Sequence, residues 1–265
     1  MSASNAPVRE TALVLHTIRH GDTSRIATLF GRTRGKFAVI AKGARSVKKG
    51  AAGNVLEPPN LIEALVYFKP TRNVQTLGSA SIINAFPGLA DDLTLRAYTA
   101  VIVEQLNRVF SDLEPNEGAF NTAIAGLSDL ERRRGNPRVA LWRFQLALLR
   151  LAGFGLEPLA CPVCGRDEAV IGSLNLLWLE TGAVCCAACR PQGGNCIPIS
   201  GEAVGIIRHL TRNPPREADA SLYRLKPSRP VRRELTNLLT RFLKFHHPSL
   251  GPLPALEMLD QFDVS

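Results

Sequence analysis

The six cysteines of this 265-residue chain all fall between positions 161 and 196, and no other feature of the sequence constrains the fold as strongly. Cys161 and Cys164 form a CxxC pair, which Gly165 follows, and Cys186 and Cys189 form a second CxxC pair. Two residues between thiolates let both sulfurs reach one ion at about 2.3 Å, and two such pairs complete a tetrahedron. We therefore predict that Cys161, Cys164, Cys186 and Cys189 bind one structural Zn²⁺ ion.

Two cysteines are left over by this assignment. Cys185 could replace Cys186 in a CxxxC arrangement with Cys189, although CxxC is the commoner ligand spacing. Cys196 is predicted to be an ordinary buried or half-exposed thiol. Free cysteines or disulfides are the alternative for the whole cluster, but disulfides are rare in cytoplasmic proteins. Four protein ligands leave no position for an activated water, so the predicted zinc site supports the fold and is not catalytic.

The first 86 residues carry the pattern of a small β-barrel. Glycine-containing or proline-containing turns separate five apolar or alternating runs, at 11–19, 25–30, 35–41, 60–68 and 73–83. Five short strands with a long connection after the third are typical of the OB-fold, a barrel that binds oligonucleotides. An SH3-like barrel would give the same pattern and stays open. Residues 44–59 are rich in Gly, Ala and Lys, and we expect a long mobile loop there.

Positive charge is concentrated in the same part of the chain. The net charge is +9, and residues 1–86 contain 12 basic and four acidic side chains. No acidic residue occurs from Gly31 to Lys49. Such a segment creates a local positive potential that attracts polyanions, and we predict that it binds nucleic acid. The predicted DNA-binding residues are Arg32, Arg34, Lys36, Lys42, Arg45, Lys48 and Lys49.

After Pro87 the apolar period changes from two to about 3.6, which indicates helices. The predicted helices cover 89–110, 116–134, 138–151, 200–211 and 231–247. Asp91 or Asp92 is the predicted N-cap of the first helix. The helix over 138–151 is apolar around most of its circumference, so we expect it at the centre of a helical domain with Trp142 and Phe144 in the core.

The predicted helix over 231–247 is strongly amphipathic. It could form a basic rim around an apolar groove that suits an acidic peptide or phosphates. His246 and His247 come at its end, where we expect them to act as C-terminal capping cations.

These patterns give an α+β protein of several domains. We predict an OB-fold DNA-binding barrel over 1–86, a helical domain over 87–157 and 197–265, and a zinc-binding insertion over 158–196.

The motifs that are missing also limit the possible functions. The sequence contains no GxxxxGK[ST], HExxH or GxSxG motif, and its five histidines are scattered. We therefore expect a protein that is not an enzyme. The first ten residues lack an apolar signal segment and no stretch has the pattern of a transmembrane helix, so we expect a cytoplasmic, nucleoid-associated protein.

Specific segments resemble a known family. Residues 12–45 read ALVLHTIRHGDTSRIATLFGRTRGKFAVIAKGAR, and the cysteine region contains GFGLEPLACPVCG and GAVCCAAC. With the order of barrel, helices, CxxC pairs and helices, they resemble the RecO family of bacterial recombination and repair proteins over almost the whole chain. The resemblance implies an OB-fold domain and a helical domain with a four-cysteine zinc site.

The resemblance also implies an activity and partners. Members bind single-stranded and double-stranded DNA, anneal complementary strands and, with RecR, help load RecA on DNA coated with SSB. The implied partners are RecR and the acidic C-terminal tail of SSB, for which the 231–247 helix is a candidate site. By position, the four predicted cysteine ligands match the family's zinc site, and Arg34, Lys36, Lys42 and Arg45 match its basic barrel surface.

Two other classes of protein remain open. An OB-fold and zinc-ribbon protein of transcription or translation would bind RNA, and would prefer structured RNA to DNA annealing. A zinc hydrolase or deaminase would need an open metal site beside a carboxylate or histidine, which four cysteine ligands do not provide.

Overall fold

The computed structural model describes residues 6–42, 54–132, 135–156, 160–167, 175–189, 193–212 and 225–262. Three predicted DNA-binding residues, Arg45, Lys48 and Lys49, lie outside these ranges, as does most of the predicted 44–59 loop. Contacts divide the chain into two compact units, one of Met1–Glu131 with Pro254–Ser265 and one of Arg132–Leu253. The division into the predicted domains stays a prediction.

Five strands of the first unit form a closed barrel in the order β1-β2-β3-β5-β4. They are β1 (Val8–His20), β2 (Ser24–Gly31), β3 (Gly35–Ala41), β4 (Leu61–Tyr67) and β5 (Val74–Asn84). Strand β1 pairs with β4 and closes the barrel, and only the β3–β5 pair is parallel. The barrel is OB-like, as the sequence predicted.

Buried and half-buried residues alternate along β3 and β4, and the buried ones form the inner face of the barrel. Along β3, Phe37 and Val39 are buried in the core while Ala38 and Ile40 between them are half-buried on the outer side. Leu56 is also fully buried in this core and its carbonyl accepts a hydrogen bond from Thr17 Oγ1 at 2.6 Å. Burial of this apolar side chain holds residues 54–59 of the predicted loop against the barrel, and the mobility of the loop stays a prediction.

The helices in the described ranges are α1 (Pro87–Ala90), α2 (Leu93–Val109), α3 (Glu117–Glu131), α4 (Pro137–Leu151), α5 (Gly201–Arg212), α6 (Arg229–His246) and α7 (Pro254–Phe262). The single helix predicted over 89–110 is divided into α1 and α2. Asp92 starts α2, since its Oδ1 accepts hydrogen bonds from the backbone N–H groups of Thr94 and Leu95 at 2.9 and 3.1 Å. Helix α7 was not predicted.

In the second unit α4 packs against α5 and α6, and Trp142 and Phe144 are each 1% exposed, as expected for a central helix. A three-stranded sheet with the order β7-β6-β8 was not predicted. Its strands are β6 (Asn175–Trp178), β7 (Val184–Cys185) and β8 (Cys196–Ile199). No helix in the described ranges is both long and apolar enough to span a membrane.

The end of α6 differs from the prediction of capping cations. The His246 ring stacks on Phe154 at 4.3 Å between ring centroids, and its Nε2 lies 2.8 Å from the carbonyl oxygen of Leu179. Burial lowers the pKa of His247, and the neighbouring His246 adds to this effect. These histidines are half-buried, packed rings that join α6 to the segments after α4 and β6.

Candidate metal centre and cationic barrel surface

The sulfur atoms of Cys161, Cys164, Cys186 and Cys189 all lie within 4.8 Å of one another. The Sγ atoms of Cys164 and Cys186 are 3.9 Å apart. Four sulfurs at about 2.3 Å from one ion, in tetrahedral geometry, are about 3.8 Å from each other. This cluster of four thiols could hold a metal ion, and its donor set fits one that prefers sulfur.

Each CxxC segment is a tight turn closed by its own backbone. Gly165 N–H donates to the Cys161 carbonyl at 2.8 Å, and Cys189 N–H donates to the Cys186 carbonyl at 3.0 Å. Gly165 has a φ of 71°, a conformation that side chains other than glycine rarely adopt. The short turns point both sulfurs of each pair to the same side.

The thiols of the cluster are close enough to form hydrogen bonds with one another. Burial acts to raise the pKa of Cys161, but hydrogen bonds from the backbone of Cys186, Cys164 and Val163 outweigh it and lower the pKa to about 6. The Cys189 pKa rises to about 12, mainly because its thiol is hydrogen-bonded to the sulfurs of Cys186 and Cys164. A bound cation would displace the thiol protons, as metal binding to thiols does.

Cys185 and Cys196 lie outside this cluster. Cys185 is fully buried on β7, opposite Leu176 of β6, and burial is the main cause that raises its pKa to about 11. Cys196 is half-buried on β8, opposite Trp178. The structure thus brings Cys186, and not Cys185, together with the other three predicted ligands.

An ion pair ties the first CxxC segment to the helices. Arg208 of α5 contacts both carboxylate oxygens of Asp167, with Nη1–Oδ1 at 2.6 Å and Nη2–Oδ2 at 2.9 Å. Two parallel contacts of this kind fix orientation as well as distance. Asp167 comes three residues after Cys164, so α5 helps to position the cluster.

The predicted cations Arg32 and Arg34 are exposed in the turn between β2 and β3. Thr33 between them is held by buried Glu10, whose Oε1 accepts from Thr33 N–H at 2.7 Å and whose Oε2 accepts from Thr33 Oγ1 at 2.5 Å. A Cβ on Gly35 would come within 2.0 Å of the Glu114 carbonyl oxygen, so only glycine fits the end of this turn. The turn is therefore rigidly placed.

Both arginines rest on aromatic rings. The Arg34 guanidinium lies 4.4 Å from the centroid of Phe68, and that of Arg32 lies 5.3 Å from the centroid of Phe120. Stacking uses the face of the planar guanidinium and leaves its N–H edge free to bind an anion. These contacts limit side-chain motion without neutralising the charge.

Lys36 is placed differently from the other predicted cations. Its Nζ donates to the carbonyl of Asn107 at 2.8 Å and lies 3.2 Å from Asp112 Oδ1, and its side chain is 16% exposed. Its charge is thus partnered inside the protein, and its contact with DNA stays a prediction.

Lys42 is exposed directly after β3. It lies at the opposite end of β3 from Arg34, about 26 Å away by the rise of an extended strand. The exposed predicted cations in the described ranges therefore form two groups, one at each end of β3, and not one continuous patch.

Sequence analysis missed two further cations beside Arg34. Lys69 and Arg72 are exposed in the turn between β4 and β5, which directly follows Phe68. Buried Gln75 organises this turn, since it accepts from Lys69 N–H at 2.7 Å and donates to the Arg72 carbonyl at 2.6 Å. The charges of the segment KPTR were visible but were interpreted only as a turn. We call Arg32, Arg34, Lys69 and Arg72 the turn cluster.

The first unit contains a closed OB-like barrel with exposed cations. Helices and a compact group of four thiols follow it in the chain. These features define a class of proteins that combine a barrel with a cysteine-containing helical region. The sequence matches the family described as Recombination protein O N terminal over residues 4–86. It matches Recombination protein O C terminal over residues 90–254. The chain belongs to the RecO family.

Individual relatives cover nearly all of the chain. The DNA repair protein RecO of Salinibacter ruber is 30% identical over 98% of this chain and 96% of its own length. That of Anaeromyxobacter sp. (strain K) is 31% identical over 90% of this chain and 91% of its own. The DNA repair protein RecO of Chloroherpeton thalassium is 27% identical over 96% of this chain and 98% of its own length.

Proposed function

We propose that this chain is a DNA-binding mediator of DNA repair and homologous recombination. It binds single-stranded and double-stranded DNA, anneals complementary strands and, together with RecR, helps load RecA on single strands coated with SSB. Membership of the RecO family over both parts of the chain supports this function over an RNA-binding role in transcription or translation. The role requires no catalytic residues.

The turn cluster is the observation that carries this proposal. Four exposed cations lie on two adjoining turns of an OB-like barrel, and stacking on aromatic rings holds two of them in place. Contacts of this kind neutralise phosphates and carry no sequence information, so any strand is bound.

The distance between the two cationic groups suits a strand laid across the barrel. Lys42 and Arg34 of the turn cluster are about 26 Å apart by the rise of an extended strand, and one OB-fold typically covers about 4–16 nucleotides. Because most contacts are to phosphates, most bases stay free to pair with a complementary strand. Charge neutralisation then lets the second strand approach. Arg45, Lys48 and Lys49 follow Lys42 in sequence and are proposed to extend its group.

We propose one structural Zn²⁺ ion, bound by Cys161, Cys164, Cys186 and Cys189. Four thiolates satisfy tetrahedral zinc completely, so the ion supports the second unit and takes no part in DNA chemistry. The proposed partners are RecR, the acidic C-terminal tail of SSB and, indirectly, RecA. The proposed location is the cytoplasm, in association with the nucleoid.

The proposed function is tested by strand annealing. Complementary strands, one carrying a donor dye and one an acceptor, are coated with SSB and mixed with and without the purified protein. We expect faster pairing with the protein, and slower pairing when Arg34 is replaced by Glu. The same change of charge at Lys226, an exposed residue of the second unit outside α6, is the control. Pairing that the protein does not accelerate, or a stronger preference for structured RNA, would reject the proposal.

A further inference from the structure

A cavity of about 810 Å³ lies in the first unit, between one face of α2 and the segment that leads into β4. Sites for small molecules and cofactors commonly measure about 300–1,000 Å³, so this cavity is large enough for a nucleotide. The α2 wall extends from Arg96 to Arg108, which is about 18 Å of helix. The opposite wall contains Pro58 and Pro59.

The charges around the cavity favour an anion. Of its two carboxylates, Glu57 binds Arg25 at 2.5 Å, and Glu104 accepts a hydrogen bond from Ala255 N–H at 3.3 Å through Oε1, while its buried Oε2 has no hydrogen-bond partner in the described part of the chain. Arg96 is exposed at one end of the α2 wall and Arg108 at the other. Glu104 lies about one turn of α2 from Arg108 and about two turns from Arg96, so a phosphate meets less repulsion at the Arg96 end.

Inside the cavity, Thr99 carries a polar group that the fold does not use. Thr99 is only 7% exposed, and within the described part of the chain its Oγ1 has no hydrogen-bond partner. A hydroxyl can both donate and accept, which matches the mixed donors and acceptors on the edge of any nucleobase. A buried polar atom without a partner is rare in native proteins, and a ligand would explain it.

Part of the remaining lining suits a flat apolar ring. Pro58 and Pro59 come from the segment before β4, and Ala100 and Val103 come from α2, while His16, Asn60 and Asn107 add polar groups. The four apolar side chains are compact and uncharged, so a base removed from its stack would keep apolar contact with both elements.

The cavity is also next to the second cationic group of the barrel. Lys42 follows Ala41, which is paired with Arg25 across β2 and β3. Arg25 binds Glu57, which lines the cavity. A strand that binds Lys42 therefore passes close to the mouth of the cavity.

We propose that this cavity receives one unstacked nucleotide of a bound single strand, with its base beside Thr99 and its phosphate at Arg96. This inference rests on the proposed DNA-binding function. One captured base would fix the strand on the protein while its other bases stay free to pair.

The test uses a strand of about 12 thymidines with one central 2-aminopurine, a base whose fluorescence rises when it leaves the stack. Binding is followed separately by the anisotropy of a dye at the strand end. The variant Ala100→Trp fills the cavity, and Leu93→Trp places the same side chain on the exposed start of α2, outside the cavity lining. Arg96→Glu is a second blocking variant at an exposed site that does not affect the core, and circular dichroism verifies folding.

For the wild type and Leu93→Trp we expect a rise in 2-aminopurine fluorescence of about twofold or more on binding. Ala100→Trp and Arg96→Glu should still bind the strand, with an affinity lower by at most about fivefold. Most of the rise in 2-aminopurine fluorescence should be lost in both variants. A full rise with both blocking variants, or no rise in a wild-type complex that anisotropy shows to be formed, would overturn the nucleotide site alone. Absence of any strand binding by the wild type would overturn the proposed DNA-binding function as well.

Discussion

The ammonium group of Lys36 lies 3.2 Å from the carboxylate of Asp112, in the connection between α2 and α3, and donates a hydrogen bond to Asn107 at the end of α2. This residue, one of the seven predicted DNA contacts, joins β3 to the helices of the first unit, and its contact with DNA stays a prediction. A cation held in this way has less freedom to reach a phosphate than Arg34 or Lys42, which have exposed side chains.

We expect Lys36→Met to lower the free energy of unfolding by about 1–3 kcal/mol, because a charged hydrogen bond to a carbonyl is lost while the aliphatic stem is kept. DNA affinity should change by less than about threefold. Denaturant titration measures the first effect and fluorescence anisotropy the second. The control is Asp112→Asn, which removes only an exposed partner. A Lys36→Met protein of normal stability with strongly weakened DNA binding would show that Lys36 contacts the strand.

Arg34→Glu should weaken binding of single-stranded DNA by about tenfold at low salt, because it replaces an attractive charge with a repulsive one.

Phe68→Leu keeps the charge of Arg34 but removes the ring on which it stacks. Exposed cation–π contacts contribute about 0.5–1 kcal/mol, so we expect about twofold to fivefold weaker binding for Phe68→Leu. Thermal unfolding must accompany this measurement, since Phe68 also packs edge-on against Phe37. Equal DNA affinity for both variants and the wild type would remove Arg34 from the proposed surface.

The metal centre can be tested through composition and stability together. Cys164→Ser should lose the ion and destabilise the second unit, while Cys196→Ser should keep one zinc per chain, because Cys196 lies outside the group of four sulfurs. Elemental analysis of the purified proteins measures the zinc content, and thermal unfolding with and without a chelator measures how much the ion contributes to stability. Full metal content in Cys164→Ser would contradict the proposed ligand set.

Glu104 gives the first unit a predicted dependence on pH. Burial raises its pKa above the usual value, against the opposing effect of the Ala255 hydrogen bond and the nearby Arg108 charge. The folded state therefore holds this proton more strongly than the unfolded chain does. The stability that this preference provides is complete below the unfolded pKa, about 4.3, and is lost as the pH rises through the folded value.

Glu104→Gln removes this titration and keeps an oxygen that can accept from Ala255. We expect its stability relative to the wild type to increase as the pH is raised from about 4 to 7. Glu104→Ala, which also loses the acceptor at the start of α7, should be less stable than Glu104→Gln by about 0.5–2 kcal/mol. Urea titrations across this range measure both effects. If the free energies of unfolding of Glu104→Gln and the wild type differ by the same amount at every pH, the pKa of Glu104 is not shifted.

Much of the barrel could be predicted from local sequence. Strand β3 was predicted with its observed bounds, Gly35–Ala41, because glycine starts it and core side chains alternate along it. The four clustered thiols were predicted because two CxxC pairs carry their geometry in their spacing. Strands of two to four residues, such as β6 and β7, have too few positions to show a period and were missed.

The functional surface was less predictable because it depends on contacts between distant residues. The partner of Lys36 is 71 residues away in the chain at Asn107, and the ring under Arg34 belongs to Phe68 on a different turn. Charge counts alone give Lys36 and Arg34 the same weight. Only the folded structure separates a cation that is used internally from one that remains exposed.

The most direct test of the central claim is the salt dependence of DNA binding by Arg34→Glu/Lys42→Glu. The control, Arg150→Glu/Lys226→Glu on exposed positions of the second unit outside α6, changes the net charge equally. Anisotropy gives the Kd for single-stranded DNA at several sodium chloride concentrations. If both barrel cations contact phosphates, the slope of log Kd against log salt should fall by about 1–2 for the barrel variant and stay unchanged for the control. An unchanged slope in the barrel variant, or an equal fall in the control, would contradict the claim that DNA binds to the barrel.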